Sequence, residues 1–135
     1  MSLVFVHNRL ATTALLLSAI IAAWGLLNFL RRQPVTSAYW GGLAVLEVLM
    51  VAQAVLGLVL LLGGGQLARP VVHVLYGATA VLSVPAAYVY TRGRDSRTEN
   101  LIYAVVCLWL FFIVERSMTT GTEVLQGAAR WLVGL

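Results

Sequence analysis

Long apolar runs separated by short polar breaks organise this chain. The first runs from Leu10 to Leu30 and ends at Arg31-Arg32. A second extends from about Tyr39 to Leu62 and stops at Gly63-Gly64-Gly65. A third follows Arg69-Pro70 and reaches Tyr90, with the proline as a helix-start signal. The fourth covers about Thr98 to Met118, with its strictly apolar stretch from Leu101 to Val114. Crossing a hydrocarbon core of ~30 Å at 1.5 Å per residue takes about 20 apolar residues, and each run meets that need. Lipid cannot solvate backbone amides, so each run must close its hydrogen bonds within a helix. The pattern predicts an all-α, four-transmembrane-helix bundle over residues 1–118. Pro85 falls inside the third run, where it should kink the helix or leave a carbonyl free. In the segment 119–135, Val124, Leu125, Ala128, Trp131 and Leu132 recur at helical spacing. That segment is too polar to cross and reads either as an interfacial amphipathic helix or as a disordered tail.

Composition agrees with this layout. Of 135 residues, 61% are hydrophobic and 10% charged, whereas a soluble domain is charged at about a quarter of its positions. The length leaves no room for a separate soluble catalytic domain. The only cysteine, Cys107, excludes an internal disulfide and any multi-cysteine metal or redox motif. All nine basic residues are arginines, and the formal charge is +4. Because they fall between apolar runs, they read as orientation signals rather than as a nucleic-acid-binding face. Leu10–Leu30 is too long for a signal-peptide core, and its arginine pair follows it instead of preceding it. Arg31, Arg32, Arg92, Arg94 and Arg97 share one side, against Arg9, Arg69, Arg116 and Arg130 on the other. The expected topology is a multi-pass protein of the cell (inner) membrane, both termini outside and the arginine-rich loops cytoplasmic. Tyr39-Trp40 and Tyr88/Tyr90 sit where an aromatic belt would at the cytoplasmic interface.

The chain has two histidines. His7 lies just before the first run, and His73 lies one turn into the third. Odd-numbered spans enter from the same side, so both imidazoles fall at similar depth in one leaflet. Two neutral imidazoles facing each other are a suitable axial pair for a haem iron. A flat macrocycle also needs helix faces without bulk. Ala11, Ala14, Ser18, Ala22 and Gly25 follow His7 at three- and four-residue intervals, and Gly77 and Ala80 lie below His73 on its own face. Small-residue stripes are equally the ordinary means of close helix packing in membranes. His7 could be hydrated by headgroups and His73 could hydrogen-bond a neighbouring helix.

Three short motifs add a resemblance. Val6-His7-Asn8-Arg9-Leu10-Ala11, Gln53-Ala54-Val55-Leu56-Gly57 and Pro70-Val71-Val72-His73 together resemble one half of a haem A synthase. In that family each half is a four-helix bundle, with a His-Arg-type motif on one helix, a Gln-x-x-Leu-Gly-like stretch on the next and a second histidine opening the third. The resemblance covers roughly Val6 to Tyr90 and implies haem b held by His7 and His73. Asn8 separates histidine from arginine here, and the family's other half, with further histidines and an acidic residue, has no counterpart in this sequence. The likeness therefore does not extend to haem A synthesis. A homodimer would place two such bundles side by side.

Arg9, Arg69 and Arg116 flank the same leaflet and suit haem propionates, since a guanidinium fork matches a carboxylate. Local ion pairing or headgroup anchoring are their alternatives. Tyr76, near His73 by helical position, could orient a neighbour or stand as an interface ring. Glu47 lies eight residues into the second run, ~12 Å from its start at the helical rise. A carboxyl at that depth either carries a proton or finds a partner inside the bundle. Gln53, six residues on, does not share its face, since six residues turn a helix through about 600°. Cys107 sits mid-span among aromatic residues and is expected to be inert. No phosphate-binding loop and no nucleophile–base–orienter set is visible, which argues against a catalytic activity of the chain's own. Three functions remain open. These are a bis-histidine haem-b protein for electron transfer or haem holding, a cofactor-free subunit of a larger membrane complex, and a small transporter or channel using Glu47.

Overall fold

The computed structural model describes residues 1–65, 67 and 69–133, with side chains as far as Thr120. Four helices follow in order: α1 (Leu3–Leu30), α2 (Ser37–Leu62), α3 (Pro70–Thr91) and α4 (Arg97–Val133). α1, α2, α3 and the Arg97–Thr120 part of α4 are each long and apolar enough to cross a membrane. The bundle is all-α, as the apolar runs predict.

Local chemistry sets the helix starts. Ser2 caps α1 by accepting from the Phe5 amide, and Thr36 caps α2 by accepting from the Tyr39 amide, both at 3.2 Å. Pro70 opens α3, where its missing N–H is no loss. α3 passes through Pro85 without interruption. The Ser2 cap places the start of α1 seven residues ahead of the apolar run at Leu10, so His7 lies inside the helix rather than before it. Asn8 and Arg9 break the apolar run but leave the helix intact, because both are exposed. The α4 backbone stays helical to Val133. The side chains that would define an interfacial face in 119–135 lie, from Gly121 on, outside the described residues.

The helices pack as a ring. α1 lies against α2 and, most extensively, against α4, while α3 lies against α2 and α4. Among the described residues the diagonal pairs, α1 with α3 and α2 with α4, have no close backbone approach. The small-residue stripe of α1 forms its buried face: Ala11, Ala14, Ser18, Ala22 and Gly25 are all buried. At Gly25 an added Cβ would run into the Tyr39 hydroxyl and lie 3.0 Å from the Asn100 carbonyl oxygen of α4. There the stripe serves close packing of helix on helix.

The end carrying the arginine-rich loops is the tightly bonded one. The Val35 amide donates to the Asp95 carbonyl at 2.8 Å, joining the α1–α2 loop to the α3–α4 loop. Asn100 Nδ2 donates to the Gln33 carbonyl at 2.8 Å, and Arg97 Nε to the Phe29 carbonyl at 2.7 Å. Glu99, buried, takes Arg94 at 3.1 Å and the Ser96 hydroxyl. Tyr39 is fully buried rather than part of a surface belt. Its hydroxyl donates to the Ile21 carbonyl at 3.2 Å, and Trp24 packs edge-on against its ring. Trp40 stacks edge-on to both Tyr88 and Tyr103, and Tyr103 shares a 3.0 Å hydrogen bond with Thr91.

Candidate cofactor site

The opposite end of the bundle is built differently. No residue of α1 before Ala11, of α2 beyond Met50 or of α3 before Ala80 is buried. The histidines stand in this half, on the two diagonal helices. Their ring centroids are 6.4 Å apart with planes inclined at 57°. The equal depth expected from the threading of the spans is therefore realised, and the rings face each other across the bundle.

Each ring has one polar neighbour on an adjacent helix. Gln53 of α2 donates through Nε2 to the His7 carbonyl oxygen at 2.9 Å, and the same nitrogen lies 3.5 Å from His7 Nε2. Ser117 of α4 lies 3.3 Å from His73 Nδ1 through its hydroxyl oxygen. His7 Nδ1 is buried with no hydrogen-bond partner. Gly57, one turn beyond Gln53, faces the His7 ring, and a Cβ added there would lie 3.1 Å from Cε1. Gly77, one turn along from His73, has open space where a Cβ would be.

Two imidazoles facing one metal ion from opposite sides, each with a metal–nitrogen bond of about 2.0–2.1 Å, would have ring centres roughly 6–6.5 Å apart. The observed separation falls in that interval. No group of three or more His, Cys, Asp or Glu side chains gathers among the described residues. Two protein ligands suit a metal that arrives with equatorial ligands of its own, and porphyrin iron does. The orphaned His7 nitrogen and the bare face at Gly77 fit such a group.

The flanking residues are less organised. Arg9, Arg69 and Arg116 are exposed, and Arg9 lies over the Phe5 ring at 5.1 Å. None of the three forms an ion pair among the described residues. Tyr76 packs half-buried on the core and makes no hydrogen bond to His73. Glu47 is half-buried with Oε2 unpartnered, and it belongs to the tightly packed half of α2, before Met50. Cys107 is fully buried at the bundle centre. Ser117 escaped notice in the sequence because serine is common in membrane helices, and only the register of α4 against α3 brings it to His73. Gln53 and Gly57 carried a signal, their four-residue spacing, which puts both on the face of α2 that meets His7.

No protein-family model matches the chain, and no curated protein or solved structure matches it either.

Gly57→Val tests the geometry around His7. The branched side chain would displace the ring, so any ligand held by His7 should be lost. Helix content and thermal stability should stay near those of the unsubstituted protein, because α2 carries no buried residue beyond Met50. Absorption and circular dichroism on one sample read both.

Proposed function

We propose that the chain is a small haem-b-binding membrane protein, with His7 and His73 as axial ligands, that carries electrons or holds haem for a partner complex. The observation that carries this reading is the pair of imidazoles 6.4 Å apart on helices whose backbones do not otherwise approach. The likeness of its motifs to one half of the haem A synthase family supports the same assignment. Iron held by two imidazoles has no open coordination position and supplies one-electron transfer. The chain's own contribution is to set the ligands. α1 and α3 bring the rings to one level, Gln53 anchors the backbone at His7, and Gly57 leaves the His7 ring its space. Arg9, Arg69 and Arg116 stand at the same end, where guanidinium groups would meet propionates.

The protein is placed in the cell membrane with the arginine-rich end cytoplasmic and the histidine end in the outer leaflet, following the arginine bias of the short loops. Its partners are the lipid bilayer and either a second copy or a larger membrane complex.

Protein purified from a haem-replete host should be red, with a Soret band in a 1:1 haem-to-chain ratio. A colourless sample that binds no added haem overturns the reading. Orientation has a separate test. Single cysteines at Arg32 and at Arg94, in a Cys107→Ser background, should both react with an impermeant maleimide only from the cytoplasmic side. The hydrogen bond joining residues 35 and 95 requires the two positions to behave alike.

A further inference from the structure

Most hydroxyls inside these helices are spent on their own helix. Thr12, Thr13, Ser18, Thr79, Ser83, Thr119 and Thr120 each donate to the carbonyl four residues earlier. Ser117 does not. Its hydroxyl oxygen turns to the neighbouring helix and lies 3.3 Å from His73 Nδ1. It does so beside Ile113, Val114 and Thr120, the buried residues of this stretch of α4, so the serine is backed by packed structure rather than by lipid.

We propose that Ser117 is a positioning residue that holds the Nδ1 edge of His73, so that Nε2 is the nitrogen presented to the space shared with His7. A histidine ligand to a metal typically uses its second ring nitrogen to bond an outer partner, which fixes the tautomer and the ring plane and raises the basicity of the ligand. With Nε2 engaged, the proton resides on Nδ1, and the Ser117 oxygen is its acceptor. The consequence for a bound iron rests on the bis-histidine reading; the hydrogen bond itself does not. His73 would then be oriented by α4 and His7 by α2, each ring held by a helix adjacent to its own.

The test compares Ser117→Ala, Ser117→Thr and, as a control, Ser83→Ala, whose hydroxyl is bonded within α3. In haem-free protein reconstituted in lipid, with 15N-labelled histidine, the His73 Nδ1 resonance should move in Ser117→Ala and stay in Ser83→Ala. A resonance unmoved in Ser117→Ala overturns the contact, whether or not the protein takes up haem. In titrations with haemin, Ser117→Ala should bind on the order of 10-fold more weakly, as loss of an outer partner typically does. Its midpoint potential should be higher, since an imidazole without its acceptor donates less to ferric iron. Ser117→Thr should restore both. Affinity and potential unchanged in Ser117→Ala, despite a shifted resonance, would overturn the positioning role. Failure of the unsubstituted protein to bind haem would instead overturn the bis-histidine reading.

Discussion

His7→Ala and His73→Ala should each yield a colourless or nearly colourless protein that still folds and inserts. On the haem reading both histidines would hold the group, and with either one removed it would be held too weakly to survive purification. Neither histidine belongs to the buried core. Both are half-buried and stand in the part of the structure where no whole residue of α1, α2 or α3 is buried. Loss of the Soret band should therefore come with unchanged helix content and detergent stability. Glu47→Gln is the informative contrast, because its carboxyl lies in the packed half of α2 and should leave the spectrum intact. If Glu47→Gln abolished ion flux in liposomes while the histidine variants remained active, a transport function would replace the haem reading. Normal assembly of all three variants, with colourless unsubstituted protein, would favour a cofactor-free subunit.

Gly25→Leu is expected to be the most destabilising single substitution on the small-residue face of α1. Its first carbon already meets the Tyr39 hydroxyl and the Asn100 carbonyl oxygen, and three more carbons must follow into the same seam. Overpacking of this kind costs about 1–3 kcal/mol and moves the backbone. Tyr39 cannot turn aside without giving up its bond to the Ile21 carbonyl and its contact with Trp24. Leucine is the better helix former by up to ~1 kcal/mol, which offsets part of the cost but not the collision. Gly41→Leu provides the control, since nothing lies within 4 Å of a Cβ there. The melting temperature in detergent should fall clearly for Gly25→Leu and hold for Gly41→Leu. Combined with Tyr39→Phe, the loss should be less than the sum of the two single losses, because the two residues contest one space.

Gly25 shows how far pattern reaches. Its three- and four-residue spacing from Ala22, Ser18 and Ala14 is visible in the sequence, and with it the conclusion that this stripe is buried. What lies against it is not visible, because a small residue admits either a cofactor plane or another helix. At Gly25 the structure puts Tyr39 and α4 there. Tyr39 makes the same point in reverse. An aromatic residue near a span end reads as an interface anchor, yet this ring is buried, and its hydroxyl is satisfied by a carbonyl that only the bundle brings near. The start of α1 differs from the start of the long apolar run for a simpler reason: His7-Asn8-Arg9 interrupts hydropathy after Leu3–Val6, whereas the Ser2 cap marks where the helix begins.

Amino-acid order alone dictated four membrane-crossing helices, their alternation and the common level of the two histidines, because backbone amides in lipid must bond locally and odd-numbered spans enter from one side. The fold alone decided which helices lie diagonal, that the arginine-rich end is joined by loop-to-loop hydrogen bonds, and that Gln53 and Ser117 stand beside the imidazoles. Those contacts join residues 44 and 46 positions apart in the chain, and no local preference specifies the register at which two apolar helices meet.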